Sequence, residues 1–210
     1  MILPRPSSPG IGISATTDLL DTSALIAREA HHLGSATDVR RREFATGRQC
    51  AREALGQIGI DEATLVPDRD GLPIWPPGAT GSITHTQGWV GAVAVLTDGA
   101  RAAGIGLDAE WLRPLAPEVI EVVATPAERR SLATLQEQRS ALPWEVVLFS
   151  AKEAAYKAWF PTHRRLLHHG QVGVELTVDG RFTAVVEGSR IAGGWVAGPA
   201  VAVALALLGD

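Results

Sequence analysis

Glu153 and Lys157 stand one helical turn apart in the run Phe149-Ser150-Ala151-Lys152-Glu153-Ala154-Ala155-Tyr156-Lys157-Ala158-Trp159-Phe160. At ~100° per residue, Val147, Ala151, Ala154 and Ala158 make one apolar stripe, and Glu153 and Lys157 lie side by side on nearly the opposite face. Alone, such a pair is an ordinary surface ion pair worth roughly 0.3 to 0.5 kcal/mol. It becomes chemistry only if other segments bring partners. Asp108 and Glu110 are candidates. In a strand over 102–110, Ile105 and Leu107 point one way while Gly106, Asp108 and Glu110 point the other. Alternate side chains there sit about 6.5 Å apart, near enough for two carboxylates to share a cation of the Mg²⁺ type. By itself an Asp-x-Glu pair more often flanks a strand end without metal.

Basic residues matter by position, because 19 Lys+Arg against 23 Asp+Glu give a formal charge of -4. That balance argues against a general nucleic-acid coat. Arg40, Arg41, Arg42, Arg48 and Arg52 decorate a helix predicted from Thr37 or Asp38, with Phe44, Ala51, Ala54, Leu55 and Ile58 at helical spacing and Gly59 near its end. They form either a solvated face or, for Arg40 and Arg48 two turns apart, a phosphate clamp. His85 closes a predicted strand from Gly81 to Thr86, which turns at Gln87-Gly88 into a second strand from Trp89 to Val95. Ser82 and Thr84 share one face of the first strand, Ile83 and His85 the other. A histidine there is either a hydrogen-bonded structural residue or a phosphate-binding and catalytic one. Pro67 to Gly78 is too rich in Pro and Gly for a helix or central strand and reads as an ordered loop.

The elements that position these residues read as follows. A helix is expected from a cap at Asp21 or Thr22 through Leu25, Ile26 and His32, with Gly34 as its stop. Thr125-Pro126-Ala127-Glu128 is a helix start with Thr as cap, Pro at the first position and Glu as capping-box partner. The helix from Trp144 is expected to close at Pro161. A hairpin runs from Gln171 to Val178, through Asp179-Gly180, to Phe182 to Glu187, and Trp195 to Leu208 returns as one last buried strand. No short-period repeat is present. The order predicts an α+β chain of two comparable lobes, 1–104 and 105–210, with Asp108 and Glu110 at their junction.

A chain of 210 residues buries about 70% of its extended-chain surface and needs no staple. The one cysteine, Cys50, falls in a helical pattern and reads as core, which fits a reducing compartment. The first residues lack a basic segment followed by an apolar core, and Val201 to Leu208 is too short to span a bilayer, so a cytoplasmic location and no membrane contact are expected.

Together these blocks resemble the 4'-phosphopantetheinyl transferases of the surfactin-synthetase-activating type, nearest the enterobactin-synthetase component D branch. The resemblance rests on Arg40-Arg41-Arg42-Glu43-Phe44 through Gly47-Arg48-Gln49-Cys50-Ala51-Arg52-Glu53-Ala54-Leu55, on Gly71-Leu72-Pro73-Ile74-Trp75-Pro76, on Gly81-Ser82-Ile83-Thr84-His85, on Gly104-Ile105-Gly106-Leu107-Asp108-Ala109-Glu110, and on the Phe149 to Ala158 run. Each block is modest alone; the five in this order are highly specific. Three positions depart from the family pattern: Leu107 within the acid motif, Asp68-Arg69-Asp70 before the Gly71-Leu72-Pro73 turn, and Leu166-Leu167-His168-His169 after the long helix.

The resemblance implies two similar α/β lobes in pseudo-twofold arrangement with the active site at their junction. It implies transfer of the phosphopantetheine arm of coenzyme A to a serine of an apo acyl or peptidyl carrier protein, releasing adenosine 3',5'-bisphosphate. By the same resemblance Asp108, Glu110 and Glu153 hold Mg²⁺, Glu153 is the candidate base, and Lys157 steadies or protonates the departing phosphate. Lys152, His85 and Thr84 take pyrophosphate oxygens, Arg40 and Arg48 the ribose 3'-phosphate, and Arg69, Asp70, Gly71 and Leu72 lie along the adenine. Trp111, Leu112, Arg113, Pro114 and Leu115 are a candidate docking segment for an acidic carrier helix. Two lobes in one chain make a monomer the simpler expectation. The rival readings are a metal-dependent nucleotide phosphohydrolase, which explains the acids but not the arginine helix, and a non-catalytic coenzyme A or carrier-protein binding module.

Overall fold

In the computed structural model the described residues are 10–61, 63–97 and 102–209. They divide into two compact units, one ending at Ala102 and the other beginning at Ala103.

The first unit comprises β1 (Ile11–Thr16), a short helix α1 (Ala27–Ala30), the long helix α2 (Asp38–Gln57), β2 (Ala79–Thr86) and β3 (Trp89–Leu96). The strands form an antiparallel sheet in the order β1-β3-β2. The hairpin expected at Gln87-Gly88 is present, with His85 opposite Val90 and Gly88 at φ 71°, a value glycine adopts without steric cost. Cys50, Ala51, Ala54 and Leu55 of α2 pack on Val90, Ala92 and Ala94 of β3. Gly47 sets how closely α2 approaches β2, since a Cβ there would stand 2.8 Å from Ile83 Cγ2.

Two features depart from the sequence reading. β1 was not anticipated, and the segment from Asp21 to Gly34 is not one helix. It is a 3-10 turn at Thr22–Ala24, then α1, then a second 3-10 turn at His31–Leu33. Arginines of α2 hold carbonyls within this segment and on either side of it. Arg52 Nη2 donates to Ala24 O at 2.9 Å, and Arg41 donates to Ala36 O at 2.8 Å and Gly34 O at 2.6 Å. Arg42 does the same for Leu19 O. Part of the arginine run is therefore structural.

The second unit comprises β4 (Gly104–Trp111), α3 (Pro117–Val123), α4 (Pro126–Gln138), α5 (Trp144–His163), β5 (Val172–Leu176), β6 (Arg181–Val186), β7 (Ser189–Ala197) and β8 (Val201–Leu208). Its sheet is antiparallel throughout, in the order β4-β8-β7-β6-β5. The Thr125 capping box forms as expected, with Glu128 N–H donating to Thr125 Oγ1 at 3.2 Å and Thr125 N–H to Glu128 Oε2 at 2.8 Å. The expected last strand from Trp195 is two strands, because the chain turns at Gly198-Pro199 between β7 and β8. Likewise α5 does not stop at Pro161; it ends at His163, where Arg164 takes a left-handed conformation at φ 52°. A proline in the last turn removes one backbone hydrogen bond without preventing the turn from closing.

The close packing of α5 on β4 follows from small residues on both sides. Cβ atoms built on Gly104 and Gly106 would stand 2.1 Å and 1.9 Å from the carbonyl oxygens of Ala158 and Ala154. Ala151, Ala154 and Ala158 are fully buried, with Trp144, Val147 and Trp159 beside them in the same core. Each large apolar side chain so buried contributes about 1.5 to 3 kcal/mol.

The two units share a local pattern that the sequence also carries. Gly10-Ile11-Gly12-Ile13-Ser14-Ala15-Thr16 matches Gly104-Ile105-Gly106-Leu107-Asp108-Ala109-Glu110, and Cys50-Ala51-Arg52-Glu53-Ala54-Leu55-Gly56-Gln57 matches Ser150-Ala151-Lys152-Glu153-Ala154-Ala155-Tyr156-Lys157. The packing repeats too, since a Cβ on Gly12 would stand 1.9 Å from Ala54 O, as one on Gly106 would from Ala154 O.

Candidate active site

Alternation along β4 puts Gly104, Gly106, Asp108 and Glu110 on one face. The glycines admit α5, and the acids one and two steps further meet the polar flank of that helix. Lys157 Nζ donates to Asp108 Oδ1 at 2.6 Å and to Leu107 O at 3.3 Å. Glu110 is half-buried and its pKa is pushed up to about 7, first by burial and then by the charge of Asp108; Lys157 opposes the rise and Glu153 adds to it. Burial, then Asp108, also raises the Glu153 carboxyl, against Lys157. Three acids thus crowd one ammonium. Among the described residues no set of three or more His, Cys, Asp or Glu side chains is already arranged as a metal cage.

Lys152 does not join the acid cluster. It is 1% exposed, and Nζ donates to Glu128 Oε2 at 2.8 Å and to His169 O at 2.9 Å. Glu128 Oε1 accepts from Val174 N–H at 2.8 Å. One buried ion pair thereby joins the start of α4, the middle of α5, the turn before β5 and β5 itself. Lys152 was expected on phosphate; its ammonium is instead spent on the protein interior. The side-chain ring of His169 returns to α5, with Nε2 3.6 Å from Glu153 Oε1.

In the first unit, Ile83 and His85 project from β2 toward α2. His85 Nδ1 lies 3.5 Å from Glu43 Oε2, Arg40 Nη1 lies 3.5 Å from the same oxygen, and Arg40 Nη1 contacts His85 Nε2. The Arg40 side chain is 51% exposed. Arg48 is buried, with Nε on Leu65 O at 2.8 Å and its guanidinium 3.9 Å from the Phe44 ring centroid. Burial, with Arg40 and Arg52 adding and Glu29 opposing, lowers its pKa to about 10, so it stays charged at pH 7. Thr84 is buried on the opposite face of β2 from His85. The 67–73 loop is ordered by Asp68, whose Oδ1 accepts from Asp70 and Leu72 N–H, each at 2.9 Å. Gly71 sits at φ 83°, and Arg69 is exposed beside Asp70. Cys50, raised to about 11 by burial, is no thiolate nucleophile at neutral pH. In the candidate docking segment Leu112 packs against the core and its N–H bonds Ala200 O at 2.8 Å, which leaves Arg113 and Pro114 exposed.

Sequence reasoning missed Glu128 and Glu29 as organisers. Glu29 is fully buried; Oε1 accepts from Arg52 Nη1 and Leu65 N–H, each at 2.9 Å, and Oε2 from Ile26 N–H at 3.1 Å. It is to Arg52 what Glu128 is to Lys152. The internal match described above pairs Arg52 with Lys152 but reaches neither glutamate. The same match exposes the first unit's counterpart of the acid cluster: Ser14, Glu53 and Gln57 at the positions of Asp108, Glu153 and Lys157. There Ser14 Oγ donates to Glu53 Oε2 at 2.6 Å, and Gln57 exchanges two 2.9 Å hydrogen bonds with the Ile13 backbone.

Two family models match the chain, the 4'-phosphopantetheinyl transferase N-terminal domain over residues 28–95 and the 4'-phosphopantetheinyl transferase superfamily over residues 104–206. The 4'-phosphopantetheinyl transferase Svp of Streptomyces mobaraensis is 42% identical over 204 residues, covering 90% of this chain and 81% of the relative. The 4'-phosphopantetheinyl transferase PptT of Mycobacterium tuberculosis is 37% identical over 175 residues, covering 80% and 75%. Enterobactin synthase component D of Salmonella typhi is 33% identical over 134 residues, covering 61% and 53%. With its acid strand, its Lys-Glu helix and these relatives, the chain belongs to the 4'-phosphopantetheinyl transferase superfamily and is a transferase enzyme.

Proposed function

We propose that this chain moves the 4'-phosphopantetheine group of coenzyme A onto a serine hydroxyl of an apo carrier protein, with Asp108, Glu110 and Glu153 holding a Mg²⁺ ion. The donor set fits that ion. Carboxylate oxygens are the hard ligands Mg²⁺ takes, and a dication would offset both the burial and the neighbouring acid charge that raise Glu110. When bound, the ion would neutralise pyrophosphate charge and align the phosphoryl group for attack.

The chain's own residues supply the rest. The serine oxygen forms a bond to the β-phosphorus of coenzyme A, the phosphoanhydride bond breaks, and adenosine 3',5'-bisphosphate departs. Glu153, on the same helix face as Lys157, takes the serine proton. Lys157, one turn along the same helix face and next to the acids, meets the charge that grows on the departing phosphate. Arg40 and His85 form the phosphate-binding pair of the first unit, Arg48 adds a fixed positive charge behind them, and the 69–72 loop lies along the adenine. Thr84, buried on the other face of β2, stands apart from that pair. Lys152 is left out of the phosphate set because it is buried on Glu128.

The observation that carries this reading is the Lys157 ammonium on Asp108 with Glu110 and Glu153 beside it, in a chain whose relatives are transferases of this class. The test is incubation with Mg²⁺, coenzyme A and a panel of apo carrier proteins. The expected product is a carrier heavier by one phosphopantetheine, formed by the wild type and not by Glu153→Gln. Coenzyme A cleaved with no carrier modified would favour the phosphohydrolase, and full turnover by Glu153→Gln would remove that residue from the chemistry. Among the described residues no helix is long and apolar enough to cross a membrane. A cytoplasmic monomer remains our expectation.

A further inference from the structure

The steps above leave His169 without a task, yet three neighbours on one face of α5 converge on it. Phe149, Lys152 and Glu153 stand at i, i+3 and i+4, a spacing that places them together. The Phe149 ring lies 5.3 Å from the imidazole, centroid to centroid, tilted by 48°. Lys152 Nζ holds the backbone carbonyl of His169 at 2.9 Å, and Lys152 is itself fixed by Glu128. Glu153 Oε1 then faces His169 Nε2 at 3.6 Å, with the two side chains 26% and 32% exposed. The backbone of His169 is thus anchored from within the fold and its ring is braced on one side by an aromatic. The direction left to the imidazole edge is toward the carboxylate. At 3.6 Å the contact is longer than a hydrogen bond, with the imidazole edge set against the carboxylate.

We infer that His169 is a positioning residue for Glu153: its braced imidazole edge, bearing the Nε2 proton, confines the Glu153 carboxylate to the orientation that joins Asp108 and Glu110. The inference rests on the reading of the acid cluster given under Proposed function. A glutamate side chain is among the costliest to order. Three mutually repelling acids would drive an unguided Glu153 outward, and a bound cation would then have to supply that ordering. Groups that orient a metal-binding side chain typically change metal affinity by 10- to 100-fold when removed. Glu153 here is partly exposed, which puts the expected effect near the lower limit.

The test is direct Mn²⁺ binding, measured by electron paramagnetic resonance on substrate-free protein, for the wild type and for Glu153→Gln, His169→Ala, His169→Phe and His169→Gln. Glu153→Gln should lose the tight site. His169→Ala and His169→Phe should each weaken Mn²⁺ binding about tenfold, and His169→Gln, which keeps an N–H donor on a side chain of similar reach, should recover most of the loss. In turnover, the Mg²⁺ concentration for half-maximal rate should rise in His169→Ala while the coenzyme A KM stays near its wild-type value. His169→Phe keeps the ring on Phe149, so wild-type binding in that variant would overturn the inference by showing that the histidine only packs. Wild-type binding in His169→Ala with binding lost in Glu153→Gln would overturn it as well, leaving the acid cluster intact. Wild-type binding in Glu153→Gln would sink the cluster reading and this inference with it. Unchanged melting of His169→Gln serves as the folding control.

Discussion

Replacing Lys152 by methionine keeps most of the stem and removes the ammonium, and the outcome separates a structural lysine from a phosphate ligand. Lys152 is 1% exposed and Glu128 is 7% exposed, so the change strands a carboxylate in the interior. Breaking a buried pair by removing one partner typically costs 3 to 5 kcal/mol. Glu128 keeps two backbone donors, the N–H groups of Thr125 and Val174, so the lower end, ~3 kcal/mol, applies. At about 2 to 4 °C per kcal/mol for a chain of this size, the melting temperature should fall by roughly 6 to 12 °C. Adding Glu128→Gln removes the stranded charge, and the double variant should recover at least half of that loss, because the penalty belongs to the uncompensated ion and not to the missing lysine. The assay is thermal unfolding by circular dichroism, with coenzyme A titrated against each variant at a temperature where all are folded. The reasoning is refuted if Lys152→Met melts within about 2 °C of the wild type while coenzyme A binding drops tenfold or more.

Glu110 gives a prediction about pH in the cation-free protein. Its pKa is raised from 4.5 to about 7, so the folded state prefers the neutral acid. Ionised Glu110 therefore costs nothing below about pH 4.5, and its cost grows as pH rises and levels off above pH 7, reduced by the solvent that reaches a half-buried carboxylate. Glu110→Gln, which mimics the neutral acid, should match the wild type near pH 4.5 and melt higher at pH 8, and parallel melting curves at the two pH values would contradict this. Glu53→Gln tests the internal match. It breaks the Ser14 contact on an exposed face, costing about 1 kcal/mol, and should leave the transfer rate within about twofold of wild type. Loss of transfer on that change alone would mean that the first unit's cluster takes part in the reaction.

The parts of the molecule legible in the sequence were those governed by local rules. Thr125-Pro126-Ala127-Glu128 specified its helix start because cap, proline and box partner act within four residues. The hairpin at Gln87-Gly88 and the alternation that puts Asp108 and Glu110 on one face were equally local. What was hidden depended on partners distant in the chain. The segment from Asp21 to Gly34 was read as one helix because its own pattern permits one, while Arg52, 28 residues beyond Ala24, claims the carbonyl of that residue. Lys152 carries the same lesson. Its charge and its place beside Glu153 suggest a phosphate ligand, and nothing nearby in sequence reveals that Glu128 claims it. β1 escaped because its role is visible only against Val90 to Val95 and against Ala54 of α2.

The matched clusters in the two units show how charge balance turns one scaffold to two uses. Both place a glycine-bearing strand against an alanine face of a 20-residue helix, and both lock the residue before the helical glutamate, Arg52 or Lys152, onto a buried glutamate. The backbone therefore positions Glu53 and Glu153 alike. The difference lies in what each carboxylate meets. Glu53 accepts a hydrogen bond from Ser14 Oγ at 2.6 Å, and Gln57 is satisfied by both backbone groups of Ile13, so that cluster is closed by neutral donors. Glu153 feels the charge of Asp108, Lys157 is the ammonium placed against Asp108, and burial first, then the neighbouring acids, lifts the Glu110 pKa to about 7. A cluster that satisfies itself gains nothing from an ion, whereas one held short of neutrality gains both charge compensation and order when a dication arrives. Ser, Thr and Gln at the positions of Asp108, Glu110 and Lys157 thus separate a self-satisfied cluster from an acid-rich one on the same strand-to-helix packing.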